Sequence, residues 1–166
     1  MSKPFTLFLV DDDTDDVALF QEVLLEASPS TLFQSAKDGE DALQKLLAVS
    51  ALPDLIFLDL NMPRMGGKEC LAHIKNNEVL RHIPVIMYTT SSLSKDIEET
   101  MLSGAVCFIT KPSSSNELKH ILSSIIGSMP HNLKRALQHL SDNASTFIVC
   151  WWGFSFDKNY AMELII

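Results

Sequence analysis

Apolar residues recur along this chain in two alternating rhythms. Short apolar runs at residues 5–10, 55–58, 83–88 and 106–109 read as buried strands, and residues 32–36 as a weaker edge strand. Between them apolar positions return at helical spacing. The faces are Val17, Phe20, Leu24 and Leu25; then Ala42, Leu43, Leu46 and Leu47; then Leu71, Ile74 and Lys75; then Ile97, Met101 and Leu102; then Leu118, Ile121, Leu122 and Ile125. The punctuation agrees with this division. Asp13 or Thr14 can cap the first helix, Asp38-Gly39 turns into the second, and Gly66-Gly67 precedes the third. Gly104 closes the fourth, and Ser114 with Glu117 three residues on makes a capping box before the fifth. Strand and helix thus alternate five times before residue 127. That pattern predicts an α/β fold, a parallel sheet covered by helices on both faces, with right-handed crossovers.

The polar residues that interrupt the rhythm stand at strand ends, where open parallel sheets bind ligands. The first strand ends in Asp11-Asp12-Asp13-Thr14-Asp15-Asp16, five carboxylates in six positions. A helix cap and the positive end of a helix dipole account for three of them and leave Asp11 and Asp12 unexplained. Asp59 ends the third strand ahead of a turn marked by Asn61 and Pro63. Thr89 ends the fourth strand and Lys111 the fifth. Taken singly these are a turn cap, a turn residue and a solvated lysine; on one edge they form a pocket. Three carboxylates in one crevice raise a pKa or demand a cation. A hard, oxygen-seeking Mg²⁺ answers that demand and keeps sites for phosphate oxygens. The lysine and the hydroxyl then suit a phosphoryl group, and the set fits phosphoryl transfer to a carboxylate nucleophile.

Composition narrows the classes further. The net charge of -8, with no basic run, argues against nucleic acid. No apolar stretch reaches the length of a membrane span, and the first residues have no signal-peptide character, so a cytoplasmic protein is expected. Cys70, Cys107 and Cys150 are widely spaced and read as reduced thiols, Cys107 as a small core residue. His73, His82, His120, His131 and His139 lack metal-ligand spacing and read as surface residues.

Four motifs carry a resemblance: Leu9-Val10-Asp11-Asp12-Asp13, Leu58-Asp59-Leu60-Asn61-Met62-Pro63, Tyr88-Thr89-Thr90 and Phe108-Ile109-Thr110-Lys111-Pro112. In this order the chain resembles the receiver domain of two-component response regulators over roughly residues 4 to 127. The resemblance implies a flavodoxin-like five-stranded parallel sheet of strand order 2-1-3-4-5. It implies Asp59 as phosphoacceptor, Asp12 as a direct Mg²⁺ ligand, Asp11 nearby through water and Asn61 giving its backbone carbonyl. Thr89 and Lys111 would hold phosphoryl oxygens, Thr89 and Phe108 would form the switch, and Lys111-Pro112 would be a cis peptide bond. The implied partner is a sensor histidine kinase, of the phytochrome type on the strings after Tyr88 and Lys111, or a histidine phosphotransfer protein.

Rival classes fail on particular residues. A haloacid-dehalogenase-type phosphatase needs a second acid two residues after its nucleophile, and Asn61 stands there. A flavodoxin needs a phosphate loop after its first strand, where this chain is acidic. A scaffold receiver that is never phosphorylated would not be expected to keep the whole pocket. The expected division is a receiver domain at residues 1–127 and a C-terminal extension at 128–166, with no output module. In the extension Pro130 can start a helix with Leu133, Ala136, Leu137 and Leu140 on one face. Beyond it come Trp151, Trp152 and an apolar end at Ile166. Such side chains must cover something. They either fold back on their own receiver or help to form a symmetric homodimer through helix four, strand five and helix five; the homodimer is the favoured reading.

Overall fold

The computed structural model describes residues 4–129, 131–143 and 146–150. The expected alternation is present: β1 (Thr6–Val10), α1 (Thr14–Ala27), β2 (Leu32–Ala36), α2 (Gly39–Ala48), β3 (Leu55–Leu58) and α3 (Gly67–Asn76). There follow β4 (Val85–Thr89), α4 (Ser94–Leu102), β5 (Cys107–Thr110), α5 (Ser115–Ser128), α6 (Leu133–Asn143) and β6 (Ile148–Cys150). The sheet order is β2-β1-β3-β4-β5-β6, parallel from β2 to β5. This is the flavodoxin-like order, with a sixth strand added antiparallel to β5.

The strands form because their side chains are buried on both faces, as a helix-covered parallel sheet requires. β1, β3 and β4 are buried at every position, whereas the edge strand β2 is only partly so. One core layer joins Phe8, Val10, Ile56 and Leu58 to Leu46, Leu71, Ile74, Ile97 and Met101 of α2, α3 and α4. The other joins Leu7, Leu9, Phe57 and Tyr88 to Phe20, Leu24, Ile121 and Ile125 of α1 and α5. Asp13 caps α1, its carboxylate accepting from the backbone N–H of Asp15 and Asp16. Ser114 caps α5 by accepting from the N–H of Glu117. Gly104, at φ 102°, closes α4 in a left-handed turn that a side chain would strain. Leu47 and Leu102, placed by periodicity on helix faces toward the core, are 62% and 61% exposed.

The extension is where sequence and structure part. α6 does present Ala136, Leu137 and Leu140 inward, but onto α5 and the second core layer of the same chain. β6 pairs along the outer edge of β5, with the N–H of Thr110 donating to Phe147 O at 3.0 Å. The described part of the extension therefore folds back in cis. The physical reason is that β5 would otherwise leave an open ladder edge beside an apolar flank of α5. A tethered strand closes that edge without waiting for a second molecule. Pro130 and residues 151–166, with both tryptophans, lie outside the described residues.

β6 also corrects the reading of the cysteines as reduced thiols. Cys107 and Cys150 face each other across β5 and β6 and are joined by a disulfide. Spacing alone hid this pair, because their contact depends on a strand that the sequence did not announce. Cys70 is free and buried, and burial pushes its thiol up to about 12.

Candidate functional site

The sheet order reverses between β1 and β3, which opens a crevice beyond their carboxyl ends. β1 delivers Asp11 and Asp12 to it, and β3 delivers Asp59. The ladders run on into these residues. The N–H of Asp11 donates to Ala36 O at 3.0 Å, that of Asp59 to Val10 O at 2.9 Å, and that of Lys111 to Thr89 O at 2.8 Å. The functional side chains thus hang from rigid strand ends. One carboxylate oxygen from each of Asp11, Asp12 and Asp59 lies within 4.8 Å of the others. Asp11 and Asp59 are buried and Asp12 is exposed, so the cluster opens to solvent on one side.

The electrostatics show a pocket short of positive charge. Burial pushes the Asp11 carboxyl above the usual carboxylate range, and the nearby Asp59 adds to this, despite a lysine partner and the N–H of Asp13. Burial pulls the Lys111 ammonium down, but its bonds to Asp11 and Asp16 outweigh that and leave it raised. One lysine shared by several acids does not compensate the buried carboxylate. An all-oxygen donor set with a charge deficit fits a divalent cation.

Lys111 lies 2.7 Å from Asp11 Oδ2 and 2.7 Å from Asp16 Oδ2, but 4.0 Å from Asp59 Oδ2. Its ammonium also sits 5.7 Å from the centroid of the Tyr88 ring. Asp59 Oδ1 accepts from the N–H of Leu60 at 2.8 Å. Thr89 is fully buried, and its hydroxyl accepts from the N–H of Ser91 at 3.3 Å. Phe108 is fully buried in the layer of Ile97 and Met101 and is paired in register with Val149. Asn61, two residues after Asp59, is exposed, and all five histidines are exposed. The structure therefore gathers the expected acids and Lys111 in one crevice, with Thr89 and Phe108 on the adjoining strands.

Two residues of the site escaped the sequence reading. The place of Asp16 in the first turn of α1 suits the helix dipole, yet its carboxylate reaches Lys111. Its position three residues after the cap was the available signal, since helical side chains tilt back toward the N-terminus. Gly67 is the second. A Cβ there would stand 2.1 Å from the carbonyl oxygen of Asp59, so the start of α3 packs directly on the backbone of the acid. Gly67→Ala should cost about 1 to 3 kcal/mol, the usual range for forced overpacking. It should also weaken cation binding by shifting Asp59, which parallel melting curves and cation titrations would reveal.

The response regulator receiver domain model matches residues 7–123, which include the acidic pair, Asp59, Thr89 and Lys111. The chain belongs to this family. The receiver is 35% identical over 131 residues to response regulator Rcp1 of Synechocystis sp., covering 76% of this chain and 87% of that one. Among solved structures it is similar to the phosphorylated cyanobacterial phytochrome response regulator RcpA, at 34% identity and a TM-score of 0.69. That match covers 74% of this chain and 91% of RcpA. The Mn²⁺-bound form of Rcp1 matches at 34% identity and a TM-score of 0.66, covering 74% and 91%. The bacteriophytochrome response regulator AtBRR, at 24% identity and a TM-score of 0.63, shares the fold over 94% of this chain and 100% of its own.

Proposed function

We propose that this receiver takes a phosphoryl group on the Asp59 carboxylate from a sensor histidine kinase of the phytochrome type, or from a histidine phosphotransfer protein. It then signals through protein contacts, in the cytoplasm. The observation that carries this reading is the crevice itself, with Asp59 beside Asp11 and Asp12 and Lys111 at 4.0 Å. An Asp59 oxygen attacks phosphorus while the bond to the donor's leaving group breaks, giving an acyl phosphate. Lys111 and the Thr89 hydroxyl hold phosphoryl oxygens once Thr89 releases the N–H of Ser91. The carboxylates of Asp12 and Asp59 and the backbone carbonyl of Asn61 would hold Mg²⁺, with Asp11 acting through water. What Mg²⁺ supplies when bound is neutralisation of charge on the phosphoryl oxygens. Lys111-Pro112 is carried in the same reading as a cis bond.

Phosphorylation adds charge and acceptor oxygens, so the local event is electrostatic and its readout is repacking. Phe108 has no exposed position to leave in the state described. Its response belongs inside the core and against Val149 of β6. The division into receiver and extension holds in this reading as a division of labour, the extension touching the switch strand β5. A homodimer stays part of the proposal through the apolar residues of 151–166, and light scattering at tens of micromolar, about the range for a modest interface, checks it; a monomer there removes it.

The test of the function is incubation with a small phosphodonor followed by intact mass. One phosphoryl group per chain is expected with Mg²⁺ and none with a chelator; modification indifferent to the cation would overturn the reading. Mg²⁺ should also raise the melting temperature, because only the folded pocket gathers the three carboxylates. At saturation the linkage is expected to be worth about 1 to 3 kcal/mol, and a curve unmoved by the cation would contradict the pocket.

A further inference from the structure

Lys111 is held twice, and its two anchors are not equivalent. Asp11 belongs to the carboxylate cluster that a cation would occupy, and its side chain is fully buried. Asp16 stands outside that cluster, on the first turn of α1, with its side chain 41% exposed. Both carboxylates meet the ammonium at 2.7 Å. Lys111 itself is 12% exposed, so it has little access to water in place of either partner. Any cation shared with Asp11 competes with Lys111 for that carboxylate, by simple charge repulsion. The Asp16 bond is untouched by that competition.

We infer that Asp16 is a positioning residue for Lys111. Its carboxylate keeps the ammonium at the rim of the crevice when Asp11 turns to a cation, leaving hydrogens free for phosphoryl oxygens on Asp59. The inference rests on the functional reading above, because it needs Lys111 to meet a phosphoryl group. The capping of α1 does not require it, since Asp13 already accepts from the N–H of Asp15 and of Asp16.

The sign of the effect separates this role from bare electrostatics. Asp16 is a negative charge near the path of an anionic donor, so charge alone predicts that Asp16→Asn accelerates phosphorylation. Positioning predicts the opposite, a drop of about tenfold, of the order a misplaced group costs, with recovery in Asp16→Glu. In a Lys111→Ala background the Asp16→Asn change should slow nothing further. The experiment measures phosphorylation by acetyl phosphate at saturating Mg²⁺ in the native chain, Asp16→Asn, Asp16→Glu, Lys111→Ala and the Asp16→Asn, Lys111→Ala double variant. A second arm follows the ¹⁵N-labelled Lys111 ammonium by NMR, whose protons resist exchange only while hydrogen-bonded. On adding Mg²⁺ the resonance should persist in the native chain and vanish in Asp16→Asn. An equal or faster Asp16→Asn rate, or an ammonium signal identical in both proteins, overturns the inference. If the native chain takes no phosphoryl group at all, the functional reading falls, and the ammonium signal alone decides whether Asp16 anchors Lys111.

Discussion

Leu137→Ala should lower the stability of the full chain by about 2 to 5 kcal/mol, the range for emptying a buried leucine site. Leu137 is fully buried on α6, in the layer that Ile121 and Ile125 of α5 share with Ile109 of β5. The loss should be the same at any protein concentration, because the contact lies within one chain. Were α6 an arm docked on a second copy, the same substitution would show its cost as dimer dissociation, deeper at low concentration. Denaturant midpoints over a wide range of concentration distinguish the two. A chain ending at Gly127 should lose stability for the same reason, since it strips α6 from α5 and β6 from the edge of β5. The melts should be run with and without reductant. The disulfide closes a separation of 43 residues, and chain entropy puts such closure at up to about 4 kcal/mol. Where reductant opens the bond, β6 rests on its ladder and on buried Ile148.

Asp59→Asn should abolish phosphorylation, a fall of several orders of magnitude. The amide has no anionic oxygen with which to attack phosphorus, and no neighbour can convert it into one. Asp11 does not replace it: its Oδ2 is tied to Lys111 and its Oδ1 accepts from the N–H of Asp13 at 3.0 Å. Asp12 is closer to solvent and lacks the lysine. The substitution should leave the fold intact, because the introduced amide can still accept from the N–H of Leu60 through its side-chain oxygen. It should also ease the repulsion on Asp11, one of the causes that raise that carboxyl. A gel that separates phosphorylated from unmodified chains checks the first expectation, and a melting curve checks the second.

The fold through α5 was legible because its signals are local. Four buried runs, each followed by helical periodicity, leave little freedom in a parallel sheet. The site was legible for a related reason. Asp11, Asp12, Asp59 and Lys111 each follow an apolar run closely, so the strand ends bring them together without any loop having to be guessed. What was not legible depends on long-range pairing. β6 has three residues, too short for alternation to declare it, and its partner is fixed only once β5 is an edge. The Cys107–Cys150 pair inherits that obscurity. Asp16 was hidden differently, behind an adequate local explanation as an acid in the first turn of a helix. Gly67 showed itself as a turn residue but not as the place where α3 touches Asp59, since a missing Cβ leaves no trace in an apolar pattern.

Whether the acid at the end of β3 carries the phosphoryl group is tested most directly by chemical trapping. The native chain is phosphorylated with acetyl phosphate and Mg²⁺, the acyl phosphate is reduced with labelled borohydride, and the label is mapped by peptide sequencing. The label is expected at Asp59 alone. Label on Asp11, Asp12 or any other acid of the native chain, with Asp59 unmodified, would contradict the account.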